Sequence, residues 1–250
     1  MRMKKIIVIA LLLASLITSM SWGADFNKGL AAYHRGDFTT ALREWKALAK
    51  QGNADAQYNI GLMHASGQGV PQDDKMAMKY FAQAAEQGDA EIQYKVGLRY
   101  HLLALRHYIK ISKGVIQGDK TAVRLLTQAA EWYTQSAEQG HTTAQYKLGV
   151  MYTAGNGVTQ DDNTAVKWYT RAAEQGHADS QYGLSIKYAF GRGVVEDYLR
   201  ALMWANIARY NGFEDAEKFI EFLVERMTPE QIAKAQDLAQ ACLVRAYKGC

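Results

Sequence analysis

The chain has little cysteine and none of the short motifs that commonly mark catalysis. Only two of its 250 residues are cysteine, Cys242 and Cys250, and both lie near the end of the chain. A structural zinc site needs more ligands than this pair offers. The sequence also contains no Ser-x-x-Lys, Gly-x-Ser-x-Gly, His-Glu-x-x-His or phosphate-loop pattern. These absences predict a protein that is not an enzyme and that holds no metal and no cofactor.

The chain also lacks an apolar run long enough to cross a bilayer. The longest run extends from Ile6 to Met20, about 15 residues, whereas a membrane-spanning helix needs roughly 20. Three basic residues precede it, and the small residues Ser21 and Gly23 follow it at the −3 and −1 positions of a cleavage site. This order is typical of a secretory signal peptide, with a transmembrane anchor as the alternative. We predict that residues 1–23 are removed and that the mature chain is periplasmic or secreted and does not span a membrane.

The chain also carries little net charge. The formal net charge is +4, and removal of the three basic residues of the predicted leader lowers it to +1. The overall charge therefore favours no class of partner. In an oxidising compartment Cys242 and Cys250 are expected to form a disulfide that pins the C-terminal helix.

An internal repeat is the dominant feature of the sequence. Five similar segments each end on a glycine, at Gly52, Gly88, Gly140, Gly176 and Gly212. The distances between successive glycines are 36, 52, 36 and 36 residues. A Gln-Tyr pair and a Gly-Val pair return at corresponding places within the units. A period of this length with helical apolar spacing indicates stacked two-helix hairpins. We predict an all-α fold of stacked antiparallel helix pairs.

The recurring residues each suit a helical hairpin. A glycine in the first helix, such as Gly149, leaves room for the second helix to approach closely. Glycine pairs such as Gly155 and Gly157 can adopt the positive φ of a tight turn. An aspartate such as Asp161 can then cap the second helix. His141 and His177 occupy the repeat position of Asn53 and Asp89, so we interpret them as polar turn residues rather than metal ligands.

The pattern AxxxLGxxYxxGxGVxxDxxxAxxWYxxAAEQG resembles the Sel-1-like repeat, a relative of the tetratricopeptide repeat. The resemblance covers residues 54–213 and implies a right-handed α-solenoid. It divides the mature chain into a tetratricopeptide-like capping hairpin at residues 24–53, repeats at 54–89, 90–141, 142–177 and 178–213, and C-terminal capping helices at 214–250. Some cysteine-rich members of the family have been connected with β-lactam binding, but their cysteine pairs in each repeat are missing from this chain.

The second repeat is 16 residues longer than the others. The excess divides into nine residues between Tyr94 and Val115 and seven between Val115 and Gly140. Seven residues are nearly two α-helical turns, so the second helix can grow and still keep its buried face. We predict one elongated hairpin. The first helix of this hairpin carries an apolar stripe whose members are 4, 3 and 4 residues apart: Leu98, Leu102, Leu105 and Ile109. We expect this stripe to face the added turns of the second helix.

The elongated hairpin is also basic. Residues 95–130 contain seven Lys or Arg residues, and Asp119 is the one acidic residue among them. Such a lobe suits an acidic protein surface, anionic lipid or lipopolysaccharide. Nucleic acid is the weakest interpretation for an exported chain, and we predict none. A solvated hairpin that binds nothing is the remaining alternative.

The resemblance also implies that the first helices line a concave groove that binds peptides or protein domains. The residues one and five places after each repeat tyrosine vary between copies, as expected of residues that contact a partner. We predict a partner-binding set of groove and hairpin residues: Asn59, Met63, Lys95, Arg99, Arg106, Lys110, Lys113, Lys147, Met151 and Lys187.

Together these features predict an exported, non-enzymatic solenoid that binds another protein or peptide in its groove, with an acidic partner as one form of this prediction. An anionic component of the cell envelope is a second possible partner, at the basic hairpin. The protein would serve as a scaffold or adaptor. The resemblance further implies an immunity protein against a secreted antibacterial effector as a specific form of this role. The alternative is an enzyme or ligand-binding protein of cell-wall or β-lactam chemistry.

Overall fold

The computed structural model describes residues 24–112 and 120–250, without the side chains of residues 110–112. Over these residues the chain forms twelve α-helices and no β-strand. Consecutive helices form antiparallel pairs, which confirms the predicted fold class. The predicted leader, residues 1–23, lies outside the described residues and stays a prediction. The chain divides into two compact units, the first ending at Ala84 and the second running from Ala85 to Cys250.

Four helices begin in the first unit: α1 (Phe26–His34), α2 (Phe38–Lys50), α3 (Ala54–Ser66) and α4 (Asp74–Ala85). Eight helices lie in the second unit: α5 (Ala90–Ser112), α6 (Thr121–Glu138), α7 (Thr142–Ala154), α8 (Asp162–Ala173), α9 (Ala178–Ala189), α10 (Tyr198–Tyr210), α11 (Ala216–Val224) and α12 (Pro229–Val244). None of these twelve helices combines the length and apolarity needed to cross a bilayer.

The pair α7/α8 shows how the repeat residues build a hairpin. Gly155 ends α7 in the left-handed conformation, with φ 70°. Asp161 caps α8 by accepting from the backbone N–H groups of Asn163 and Thr164. A Cβ at Gly149 would lie 2.5 Å from the ring of Tyr169, so only glycine lets the two helices approach this closely. The predicted roles of all three repeat positions are confirmed in this pair.

The pair α5/α6 is the predicted elongated hairpin. Helix α5 has 23 residues against 13 in α7, and α6 has 18 against 12 in α8. The first helix thus gains ten residues and the second gains six, close to the excess of nine and seven residues in the two parts of the sequence. The second helix keeps its buried face, with Leu126 and Tyr133 seven residues apart and both buried. The extra turns therefore lie at the turn end of the hairpin.

The prediction that the stripe of Leu98, Leu102, Leu105 and Ile109 faces α6 is wrong for its last three residues, and Leu98 is half-buried. Tyr100, Leu103 and Ala104 are buried instead, whereas Leu102, Leu105 and Ile109 are exposed. Gly97 explains the difference, because a Cβ there would lie 2.8 Å from the ring of Tyr133. This close approach sets which face of α5 packs. The leucine stripe begins one residue later, about 100° around the helix.

The C-terminal helices end in a covalent closure. Thr228 and Gln231 form a reciprocal capping box at the start of α12, as the sequence predicts. The predicted disulfide joins Cys242 to Cys250, with a Cα–Cα distance of 5.7 Å. Tyr247, between the two cysteines, donates its hydroxyl hydrogen to Asn211 Oδ1 at 2.9 Å. The disulfide and this hydrogen bond hold the end of the chain against α10.

Candidate protein-interaction site

Three residues of the predicted partner-binding set lie in the interior. Met63 and Met151 are buried, and Met63 belongs to the apolar core of the first unit. A Cβ at the turn residue Gly69 would lie 3.1 Å from Met63 Cε, so the methionine packs beneath the interhelical turn. In these two repeats the position five residues after the repeat tyrosine therefore builds the core. Its variation between copies reflects packing, and the prediction that these methionines contact a partner is wrong.

Lys187, at the same repeat position, is also buried. Its ammonium group forms an ion pair with the carboxylate of Asp162, the first residue of α8. The lysine thus reaches from the fourth repeat to the third, close to Gly193, where a Cβ would lie 2.3 Å from the Asp162 carbonyl oxygen. Lys187 joins two repeats, and its predicted contact with a partner is wrong as well.

The position one residue after the repeat tyrosine is accessible. Asn59, Lys95 and Lys147 are each half-buried. The ammonium group of Lys95 pairs with Glu91 at 3.4 Å, and that of Lys147 lies 5.7 Å from the ring centroid of Tyr146. These residues are placed where a partner could reach them, and their role stays a prediction.

The predicted residues of the elongated hairpin divide into two groups. Arg99 and Arg106 on α5 are half-buried. The side chain of Lys110 and the whole of Lys113 lie outside the described residues. Within the described part of α5, the predicted basic surface therefore consists of Lys95, Arg99 and Arg106.

The repeat tyrosines stack on the ring at the last position of their own repeat, just before the next helix pair. In the second unit three of them form aromatic stacks with ring centroids 4.5–4.8 Å apart: Tyr94 with His141, Tyr146 with His177, and Tyr182 with Phe213. His141 and His177 also cap α7 and α9, each accepting a backbone N–H at Nδ1. Burial lowers the pKa of His177, although the nearby Asp179 opposes this effect. The two histidines thus have the capping role inferred for their repeat position.

The repeat glutamines add a polar connection beside these stacks. Gln145 donates an Nε2 hydrogen to the Ala137 carbonyl at 3.0 Å and accepts one from Gln175 at 2.7 Å. Gln93 and Gln181 make the corresponding bonds in their own repeats. Each glutamine links the end of the preceding helix pair to the end of its own pair. The Gln-Tyr pair that recurs in each repeat therefore stabilises the junctions between repeats.

An aromatic cleft of about 490 Å³ opens near the C-terminal end of the array. It is formed by rings from α9, α11 and the segments next to them, namely Tyr182, Phe190, Phe213, Phe219 and Phe222. Phe219 and Phe222 stack at 5.5 Å, and Phe190 lies 6.2 Å from Phe219. Phe190 is exposed, although corresponding repeat positions hold small residues, Ser66 and Ala154. This exchange of a small residue for phenylalanine is the sequence signal that could have identified the cleft.

Two guanidinium groups lie over rings that line the aromatic cleft. Arg226 stands 3.7 Å from the ring centroid of Phe222, and Arg192 stands 5.8 Å from that of Phe190. Lys218 contributes to the lining, together with the carboxylate of Asp215. Exposed rings beside arginine are the residue types that most often anchor protein interfaces. The aromatic cleft can therefore accept an apolar side chain that carries acidic neighbours.

A second cleft, of about 640 Å³, lies within the first unit. Its lining includes three exposed lysines, Lys46, Lys50 and Lys79, around the ring of Tyr80. No carboxylate belongs to the lining residues, so the cleft favours an acidic group.

Comparison with known proteins supports the repeat architecture. The Sel1 repeat family matches residues 54–89, 112–141, 142–177 and 178–213. A crystal structure of a Sel1 repeat protein from Oxalobacter formigenes superimposes with a TM-score of 0.60 and 28% identity, covering 78% of this chain and 74% of that one.

Two curated proteins are similar over part of their length. An exopolysaccharide production negative regulator of Rhizobium leguminosarum bv. viciae is 32% identical over 134 residues, which are 53% of this chain and 49% of the regulator. The ERAD-associated E3 ubiquitin-protein ligase component HRD3B of Arabidopsis thaliana is 40% identical over 55 residues, 21% of this chain and 9% of that protein. The chain thus spans at most about half the length of these relatives.

Proposed function

Because this chain belongs to the Sel1 repeat family, we propose that it is a non-enzymatic interaction protein. It binds another protein through the surface formed by the first helix of each pair. The aromatic cleft carries the proposal. Elsewhere in the second unit the repeat tyrosines stack within the junctions, whereas Phe190 exposes its ring at the cleft. An exposed aromatic cluster of this kind gains free energy when a partner covers it.

The partner that fits best is an acidic protein or peptide. The aromatic cleft accepts an apolar anchor, and Arg192, which lies over the ring of Phe190, can pair with a carboxylate beside that anchor. Arg226 lies over Phe222 and already pairs with Glu225 at 3.5 Å. The lysines of the first-unit cleft and the accessible Lys95 and Lys147 favour the same charge. An anionic component at the basic hairpin is the second part of this proposal.

An extracytoplasmic location is part of the proposal. The leader pattern of residues 1–23 supports it. The Cys242–Cys250 disulfide supports it independently, because disulfides persist in oxidising compartments and are rare in reducing ones.

The test is affinity capture from the native cell envelope with the chain from Ala24 onward. Phe219→Ala with Phe222→Ala is expected to reduce recovery of the specific partner about tenfold or more, because hot-spot aromatic residues dominate binding energy. Val195→Ala is the matched control, since Val195 is also an exposed apolar residue but lies outside the cleft. Equal recovery by both proteins, with unchanged helical content, would reject the aromatic cleft as the anchor.

A narrower form of the proposal is an immunity role, in which the protein binds and blocks a secreted antibacterial effector. The family resemblance of an exported chain supports it. The test is co-production with secreted antibacterial effectors, where the chain should restore growth against its own target and the Phe219/Phe222 variant should not. Hydrolysis of a β-lactam by the purified chain would contradict the non-enzymatic assignment.

A further inference from the structure

The distal part of α5 exposes an apolar stripe at the side of the elongated hairpin. Four large apolar side chains are between 43% and 54% exposed: Leu102, Leu105, Tyr108 and Ile109. At about 100° per residue they share one sector of roughly 120° on the helix. The opposite face, with Tyr100, Leu103 and Ala104, is buried in the hairpin. The apolar stripe is therefore additional to the packing face of α5.

A row of basic residues borders the apolar stripe. Lys95, Arg99 and Arg106 lie within about 60° of its edge by helical spacing. Lys120, directly before the returning helix α6, and Arg124 in its first turn are both exposed, next to Val123, which is 57% exposed. Apolar and basic residues side by side along a helix are typical of segments that lie in the interface of an anionic bilayer.

The length of the hairpin makes this surface reachable. The ten additional residues of α5 relative to α7 correspond to about 15 Å of helix. A cleft would suit the tip of a peptide, whereas an exposed helix face with adjacent apolar and basic residues suits a surface that offers apolar and anionic groups together.

We propose that the apolar stripe and its basic border dock onto the surface of an anionic phospholipid bilayer, with the leucines in the acyl boundary and the basic groups at lipid phosphates. The inference rests on the anionic-partner part of the proposed function and is independent of protein binding at the aromatic cleft. Its physical basis is that apolar burial and electrostatic attraction add at an anionic interface.

The test is co-sedimentation of the chain from Ala24 onward with vesicles of phosphatidylglycerol and phosphatidylcholine, compared with pure phosphatidylcholine. The wild-type chain is expected to bind the anionic vesicles about tenfold more tightly, and added salt should weaken that binding. Leu102→Gln with Leu105→Gln is expected to reduce it about tenfold, since two apolar side chains no longer enter the interface. Lys120→Gln with Arg124→Gln should reduce it by a similar factor at low salt only.

Val195→Gln is the matched control, because Val195 is 88% exposed and lies outside the hairpin. Glutamine is a good helix former, so the leucine variants should keep their helical content, and the single Leu105→Gln variant provides an intermediate effect. Absence of anionic-vesicle binding would overturn the proposal, as would equal binding by the leucine pair and the control. Loss of capture of an acidic protein by the leucine pair, with vesicle binding unchanged, would assign the stripe to that protein instead.

The two sites can fail separately. The Phe219/Phe222 variant should bind vesicles as the wild type does, and the Leu102/Leu105 variant should still capture the partner of the aromatic cleft. Loss of vesicle binding in the phenylalanine variant would contradict the assignment of the bilayer contact to α5.

Discussion

The regular pair α7/α8 and the elongated pair α5/α6 share their packed base and differ at their turn ends. Gly97 against Tyr133 repeats the close approach of Gly149 against Tyr169. The tyrosine stacks and glutamine bonds at the junctions also recur. Beyond this base α7 ends at a left-handed glycine, whereas α5 continues and exposes its apolar side chains. The repeat positions therefore constrain the junctions between pairs and leave the turn end of a hairpin open to change.

The extra turns of α6 do not change where the pairs α5/α6 and α7/α8 contact each other. A Cβ at Gly157, in the turn after α7, would lie 2.5 Å from the carbonyl carbon and oxygen of Leu126 on α6. Gly193 makes the same approach to Asp162 on α8. Leu126 and Asp162 both lie 14 residues before the terminal glycine of their unit, Gly140 or Gly176. The additional turns of α6 therefore extend past this contact rather than shift it.

The largest effect is expected from Gly157→Ala. A left-handed alanine costs about 1 kcal/mol, and the contact with the Leu126 backbone should add about 2 kcal/mol. Gly155→Ala is the matched control, since its φ of 70° is close to the 74° of Gly157 but its Cβ would lie at an ordinary 3.4 Å from Gln160. Urea unfolding should therefore show a loss of about 3 kcal/mol for the first variant and about 1 kcal/mol for the second. Equal losses would mean that the close approach between the pairs is absent.

A smaller and opposite pair of effects is expected at the two buried tyrosines. The Tyr169 hydroxyl hydrogen-bonds Thr153, and burial raises the pKa of Tyr169 to about 12. The Tyr133 hydroxyl is buried without a hydrogen-bond partner among the described residues, and His101 stands in place of Thr153. Tyr169→Phe should lower the free energy of unfolding by about 1 kcal/mol, whereas Tyr133→Phe should leave it unchanged or raise it. Similar losses in thermal or urea unfolding would contradict this contrast.

The smallest effect concerns the pH dependence of stability. Burial lowers the pKa of both His177 and His101, with Lys147 adding to the effect at each. The unfolded chain then binds more protons near pH 6.5, so stability is complete above that value and falls as the pH decreases toward the folded pKa.

His177→Asn keeps a capping side chain of the kind that Asn53 provides for α3, and it removes one titrating group. The slope of unfolding free energy between about pH 6.5 and 5 should therefore be shallower in this variant. His101→Thr should remove the contribution of the elongated pair in the same way. An unchanged slope in both variants would show that other groups control the acid response.

Much of the fold was predictable from the sequence, whereas the residues of the candidate site were predictable only in part. The spacing of Gly149, Gly155 and Asp161 predicts a hairpin because each position has one dominant local role. The prediction for Met63, Met151 and Lys187 failed because variation between copies does not distinguish a surface from a core that repacks. The aromatic cleft was missed because Phe190 belongs to a degraded repeat and Phe219 to a helix outside the array.

The sequence by itself determined the helix pairs, their turns, the elongated second repeat and the basic character of that hairpin, because backbone conformation and charge depend on local residue types. Only the tertiary structure decided which face of α5 packs, since one contact between Gly97 and the ring of Tyr133 sets the phase of the whole helix. The same contact placed Leu102, Leu105 and Ile109 at the surface. Helical periodicity in the sequence shows that a helix has an apolar face. The closest contact with the neighbouring helix decides which face packs in the interior.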